Sequence, residues 1–183
     1  NMITLSSHKI YGPKGIGLLL IDEDIQLTPL LYGGGQEFGY RSGTIPLPLI
    51  VGFSKAIELA IQNQEKNSIH LASLRDALMN GLLKNNSDIL INGSIIDRLP
   101  NNLNLTVLEV NGSKLHKFIK HQIVCSSGSA CSNGKVSHVL PSIGRSIKEA
   151  ESSIRLSIGL TTTADEIEKS IDVITETINI CRK

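Results

Sequence analysis

Ser6-Ser7-His8-Lys9-Ile10-Tyr11-Gly12-Pro13-Lys14-Gly15-Ile16-Gly17 is the stretch whose reading decides the fold. A β-leaning run, Met2-Ile3-Thr4-Leu5, leads into it, and Ile16 to Ile21 follows as an apolar run that reads as a buried strand. Between them a Gly-Pro-Lys-Gly turn closes the chain back on itself. A lysine at a strand end can hold an aldehyde as a Schiff base while hydroxyls and an imidazole beside it grip a phosphate. Its ammonium pKa falls readily on desolvation, which frees the amine as a nucleophile. Residue types alone favour a second reading, an ordinary β-hairpin with one solvated lysine, since lysine is mostly a solvated surface residue.

Working outward, residues 22–48 form a loop crowded with Pro29, Gly33-Gly34-Gly35, Gly39 and Gly43, which implies positive φ angles and close backbone approach. After Pro46 and Pro48, suited to a helix start, the period changes from 2 to 3.6. Leu49, Ile50, Phe53, Ala56, Ile57, Ala60 and Ile61 make one apolar face, and Ile69 to Leu83 make a second helical stretch. The spacing predicts strands over 88–92, 103–109, 123–125 and 154–158. It predicts helices over 114–122 and, behind the N-cap run Thr161-Thr162-Thr163, over 164–180. The fold class expected is α/β, with helices on a small mixed sheet. The expected division is a remnant of a larger domain over 1–48 and a C-terminal α/β domain over 49–183.

Composition narrows the function classes. With 183 residues, 19% charged and a net charge of +1, the chain has no basic block for nucleic acid or an anionic membrane. Its apolar runs are too short to span a bilayer. Three cysteines, at 125, 131 and 181, argue against a disulfide framework and fit no zinc spacing, so no metal is expected. A reducing compartment, the cytoplasm or an organelle matrix, is the expected location.

Two further residues carry chemistry on their own terms. Cys131 lies in Ser126-Ser127-Gly128-Ser129-Ala130-Cys131-Ser132-Asn133-Gly134-Lys135, whose small residues suit a mobile thiol; an incidental loop cysteine is the alternative. Arg155 is the one arginine in an apolar strand, either a two-pronged carboxylate donor or half of a structural ion pair. His70, His116, His121 and His138 show no ligand spacing.

Four segments in order resemble one family. They are Ser6-x-His8-Lys9-x-x-Gly12-Pro13-Lys14-Gly15, Gly33-Gly34-Gly35-Gln36-Glu37 with Arg41-Ser42-Gly43-Thr44, Ser126 to Cys131, and Ser153-Ile154-Arg155-Leu156-Ser157-Ile158-Gly159. Together they resemble the class V aminotransferase-fold enzymes that use pyridoxal phosphate, most closely the NifS/IscS-type cysteine desulfurases. Ser132-Asn133-Gly134-Lys135 departs from that family's small/hydroxyl run.

The resemblance implies a fold-type I PLP-dependent transferase, of which this chain would be a C-terminal portion. It implies that Lys9 binds pyridoxal 5'-phosphate and that Ser6 and His8 contact it. Thr44 would reach the cofactor phosphate of the neighbouring subunit in a homodimer. It further implies that Arg155 holds the α-carboxylate of L-cysteine, and that Cys131, with Lys9 and His8 as the other catalytic residues, receives the sulfur as a persulfide. An iron–sulfur scaffold or a tRNA-thiolation protein would then accept it. Another class V enzyme, or a non-catalytic dimerisation or binding module, are the other readings.

Overall fold

The structure, a computed structural model, describes residues 1–126 and 137–182. The chain forms two compact units, Asn1–Gln64 and Glu65–Lys183. In the first of them the first long helix packs with the residues that precede it.

In the first unit β1 (Met2–Ser6) and β2 (Gly17–Ile21) pair antiparallel, Met2 opposite Ile21 and Ser6 opposite Gly17. A short 3-10 helix, Ser7–Ile10, and the Gly-Pro-Lys-Gly turn connect them. Helix α1 (Leu47–Gln62) starts on Pro46 with Pro48 in its first turn, where a missing N–H costs nothing. Gly12 and Gly52 are where turn and helix meet. A Cβ on Gly12 would lie 3.0 Å from the Ala56 Cβ, and one on Gly52 would lie 3.1 Å from Pro13. Phe53 and Ala56 are the buried residues of α1. The expectation that 16–21 is a buried strand is not met. A two-stranded ribbon has too few neighbours to cover both faces, so Ile3, Leu18, Leu19 and Leu20 are exposed.

The second unit opens with α2 (Gln64–Asn85) and holds a three-stranded antiparallel sheet in the order β3 (Ile89–Ile91), β4 (Asn102–Val107), β5 (Ser153–Ser157). Helix α3 (Gly112–Ile119) follows β4, capped by the Asn111 side chain, which accepts from the Lys114 N–H at 3.0 Å. Two short helices, α4 (Val139–Ser142) and α5 (Ile147–Glu151), precede β5, and α6 (Ala164–Arg182) closes the chain. At the start of α6 the Thr163 hydroxyl accepts from the Glu166 N–H while the Glu166 carboxylate accepts from the Thr163 N–H.

Period-2 alternation gives the sheet two unlike faces. Leu103, Leu105, Val107, Ile154 and Leu156 point into one core with Leu74, Leu78 and Leu82 of α2, Leu115 and Ile119 of α3, and Ile167, Ile174 and Ile178 of α6. Asn102, Asn104, Thr106, Ser153, Arg155 and Ser157 alternate with them on the other face. The strand expected at 123–125 is absent; pairing there is a single bridge, Ser126 with Arg155.

Leu103 is fully buried, so Leu103→Ala is expected to lower the unfolding free energy by about 2–5 kcal/mol. Leu30→Ala, at a position 93% exposed, is expected to change it by less than about 0.5 kcal/mol. Urea melts followed by circular dichroism check both.

Candidate functional site

The lysine segment is held by its backbone. The Ser7 N–H donates to the Ile16 carbonyl at 3.2 Å, and the Gly12 N–H to the Ser7 carbonyl at 3.0 Å. Tyr11 takes the left-handed conformation (φ 66°) that ends the 3-10 helix. Ser7 is fully buried and its hydroxyl has no hydrogen-bond partner. It fills the space that only a glycine at 12 leaves open, since a Cβ there would collide with the Ser7 Oγ.

On this turn Ser6, His8 and Lys9 are all exposed. The Ser6 hydroxyl is not consumed in capping, and among the described residues Lys9 takes part in no ion pair. A primary amine with two potential phosphate-binding side chains beside it is a donor set that fits an aldehyde-bearing phosphate ester.

Thr44, also exposed, ends the glycine loop of the same unit. Gln36 organises that loop by accepting the Gly43 N–H at 3.0 Å, and the buried Ser42 accepts the Gly35 N–H at 3.4 Å. Arg41 turns back to donate to the Ser42 carbonyl at 3.0 Å.

Arg155 lies in the second unit, half-buried on the polar face of β5. Its own N–H and C=O pair with Ser126 at 2.7 and 3.0 Å. Its Nε is buried and without a partner. Cys131 lies outside the described residues. The structure thus gathers Ser6, His8 and Lys9 on one turn of the first unit, together with the Thr44 loop in that unit, and sets Arg155 beside Ser126 in the second.

Sequence reasoning missed the residues that flank Arg155. Asn92 Nδ2 donates to Asn104 Oδ1 at 2.7 Å, and Arg145 Nε donates to Asn92 Oδ1 at 2.6 Å. Arg145 also donates to the Ile91 carbonyl at 2.8 Å and faces Glu149 at 3.6 Å. The Ser146 N–H and hydroxyl, with Arg145 adding to them, hold the Glu149 carboxyl below the usual range. The readable signal was the matched alternation, Asn102-x-Asn104-x-Thr106 against Ser153-x-Arg155-x-Ser157.

A cleft of about 400 Å³ runs between α6 and residues 122–124. Leu156 and Ile158 line it, from the strand face opposite Arg155, and among the described residues none of the predicted site residues does. Cys125 beside it is half-buried, and burial pushes its thiol up to about 11. Burial also raises the Cys181 thiol. Neither has the thiolate character of a nucleophile at neutral pH.

A family model described as Aminotransferase class-V matches residues 1–169. Over 187 aligned residues the chain is 42% identical to the cysteine desulfurase IscS of Rickettsia typhi, covering all of this chain and 45% of that protein. It is 43% identical to the mitochondrial cysteine desulfurase of Eremothecium gossypii, again over all of this chain and 38% of that protein. The X-ray structure of a NifS-like protein from Rickettsia africae ESF-5 superposes with a TM-score of 0.86 at 36% identity, covering 97% of this chain and 47% of that one. The chain spans less than half the length of these relatives. Among the described residues no helix is long and apolar enough to cross a membrane.

Two outcomes are expected. Gly12→Ala should destabilise the first unit by about 1–3 kcal/mol, with part of the loss recovered in the double variant with Ser7→Gly, as read in a double-mutant cycle of urea melts. Alkylation of Cys125 by iodoacetamide should stay slow through pH 9 and rise only as pH nears 11. The thiol is raised from its ordinary 9.0, so the stability it contributes is present below pH 9 and lost as pH climbs through about 11.

Proposed function

Because the chain belongs to the class V aminotransferase family and matches a little under half of a cysteine desulfurase of the IscS/NifS kind, we propose that the protein it represents removes sulfur from L-cysteine. The products are L-alanine and a persulfide on Cys131. Members of this family use pyridoxal phosphate, which when bound supplies an electron sink that weakens the bonds around the substrate Cα and Cβ. The observation that carries the reading is the lysine turn, an amine outside any described ion pair, beside uncommitted hydroxyl and imidazole groups, on a backbone held from both sides.

Lys9 would bind the cofactor through its amine and move protons from Nζ, with His8 beside it on the substrate side. Ser6 and His8 grip the cofactor, and Thr44 reaches the phosphate of a neighbouring subunit in a homodimer. Arg155 orients the substrate carboxylate by a charge-assisted, two-pronged contact. The Cys131 thiolate attacks the substrate sulfur: an S–S bond forms, the Cβ–S bond breaks with its electron pair left on carbon, and a proton delivered from Lys9 Nζ completes alanine. The persulfide then passes to an iron–sulfur scaffold or another sulfur-acceptor protein in the cytoplasm. The division of labour proposed is a cofactor-binding remnant over 1–48 and a small domain over 49–183 that carries Cys131 and Arg155.

In the whole protein, cysteine-dependent sulfide release under reductant is expected to vanish in Cys131→Ala with cofactor absorbance retained. In Lys9→Ala both should be lost. Sulfide release that survives Cys131→Ala, or turnover that depends on an added keto acid, would overturn the reading.

A further inference from the structure

We propose that Asn104 is a second carboxylate-binding residue beside Arg155, its amide oriented as a donor by an Arg145–Asn92 hydrogen-bond chain across the sheet. The proposal deepens the function above and rests on the reading of Arg155 as the carboxylate holder.

The row begins with a group that has no choice. An arginine Nε can only donate, so the Asn92 atom 2.6 Å from Arg145 Nε must be its carbonyl oxygen. That turns the Asn92 NH2 toward β4, where it donates to Asn104 at 2.7 Å, to Thr106 at 3.0 Å and to Ser153 at 3.3 Å. The Asn104 atom it meets must in turn be an oxygen. Each amide therefore inherits its direction from the one before. Asn104 Nδ2 is left on the side of the row away from Asn92, with no acceptor among the described residues.

Next in the row stands Arg155. Asn104 and Arg155 are register partners. The backbone N–H and C=O of Arg155 face Ser126 on the other side, so 104 and 155 form a narrow pair without mutual backbone bonds, with Cβ atoms about 4.5–5.5 Å apart. The Arg155 guanidinium has no acceptor among the described residues either. Its Nε is buried and has no partner among the described residues. Two donors side by side cannot satisfy each other. They call for a group with two acceptor oxygens and a negative charge, and the planar fork of arginine beside an amide NH2 matches a carboxylate. Arg145 is a positioning residue in this scheme, and Asn104 is the one that touches the ligand.

The 183-residue chain, labelled with 15N, tests this by titration with L-alanine, the carboxylate-bearing product, and with L-alaninamide as a control. The expected result is that the Asn104 side-chain amide and the Arg155 guanidinium signals both shift with L-alanine, and neither with the amide. Asn104→Ala, its fold verified by the backbone spectrum, should weaken L-alanine binding roughly ten-fold, the scale of one hydrogen bond to a charged group. Arg145→Met should lose the Asn104 response and Arg145→Lys, which keeps an obligate donor, should restore it; a merely structural role would not show that pattern. Arg155 shifting while Asn104 stays unmoved overturns the proposal and leaves the Arg155 reading intact. Neither shifting overturns both.

Discussion

The antiparallel ladder between β4 and β5 is what the second unit depends on. Leu103 opposite Leu156 and Leu105 opposite Ile154 fix the register, and a slip of one residue would send all four out of the core at once. That same register commits Asn104, Thr106, Ser153 and Arg155 to the other face. Polar groups that become buried there need partners. Thr106 and Ser153 lie 2.8 Å apart, and Ser153 donates to the Glu149 carbonyl at 2.8 Å. Helix α5 is thereby tied to the sheet. Its capping box, Ser146 with Glu149, is the local device that lets so short a helix stand where those hydroxyls require an acceptor.

Arg155 is the exception on that face. Its Nε is buried with no acceptor among the described residues, a cost of about 1–3 kcal/mol that an ordinary sheet residue would not carry. Among the described residues no acidic side chain answers it: the ion pairs of the unit involve Arg75, Arg145 and Arg182 instead. A cation kept unneutralised within a well-packed sheet reads as a site waiting for an anion rather than a stabilising pair.

Much of this was legible from the sequence because it rests on periodicity and on short motifs. The two strands around Lys9, α1, α2, β4, β5 and α6 all follow from where apolar residues recur, and the ends of α3 and α6 from Asn111 and Thr163. What was not legible has physical causes. Residues 123–125 have strand composition, yet only Ser126 meets an edge partner, and a strand is defined by its neighbour rather than by its own residues. Helices α4 and α5 are shorter than the period that would reveal them, and Pro141 lies inside the first. The apolar run 16–21 announces burial, but its sequence cannot say how many layers lie against it. Asn92 and Asn104 fall inside the strands expected over 88–92 and 103–109, but a strand pattern does not say which side chains meet across it, and no spacing links Arg145 to either. Only the sheet brings positions 92, 104, 145 and 155 into one line.

Lys9 and Arg155, though in different units and different kinds of element, are presented by the same physical arrangement. Around Lys9 the flanking amides of Ser7 and Gly12 are committed to carbonyls, Gly12 is pressed on Ser7 and Ala56, and Pro13 on Gly52. At Arg155 both backbone groups are bonded to Ser126. In each case main-chain bonds and the packing of neighbouring residues set where the residue stands, and its own side chain is left out of the described hydrogen-bonded structure. A side chain that helped to hold the fold would have to break those bonds to meet a ligand, and would lose affinity by their worth. One that contributes nothing to the fold can spend its full interaction on what it binds, with less ordering left to do at that moment. The separation of a fixed backbone from an uncommitted cationic side chain, repeated at two of the positions singled out by their sequence motifs, is what distinguishes these two cations from the salt-bridged Arg182 or Lys55.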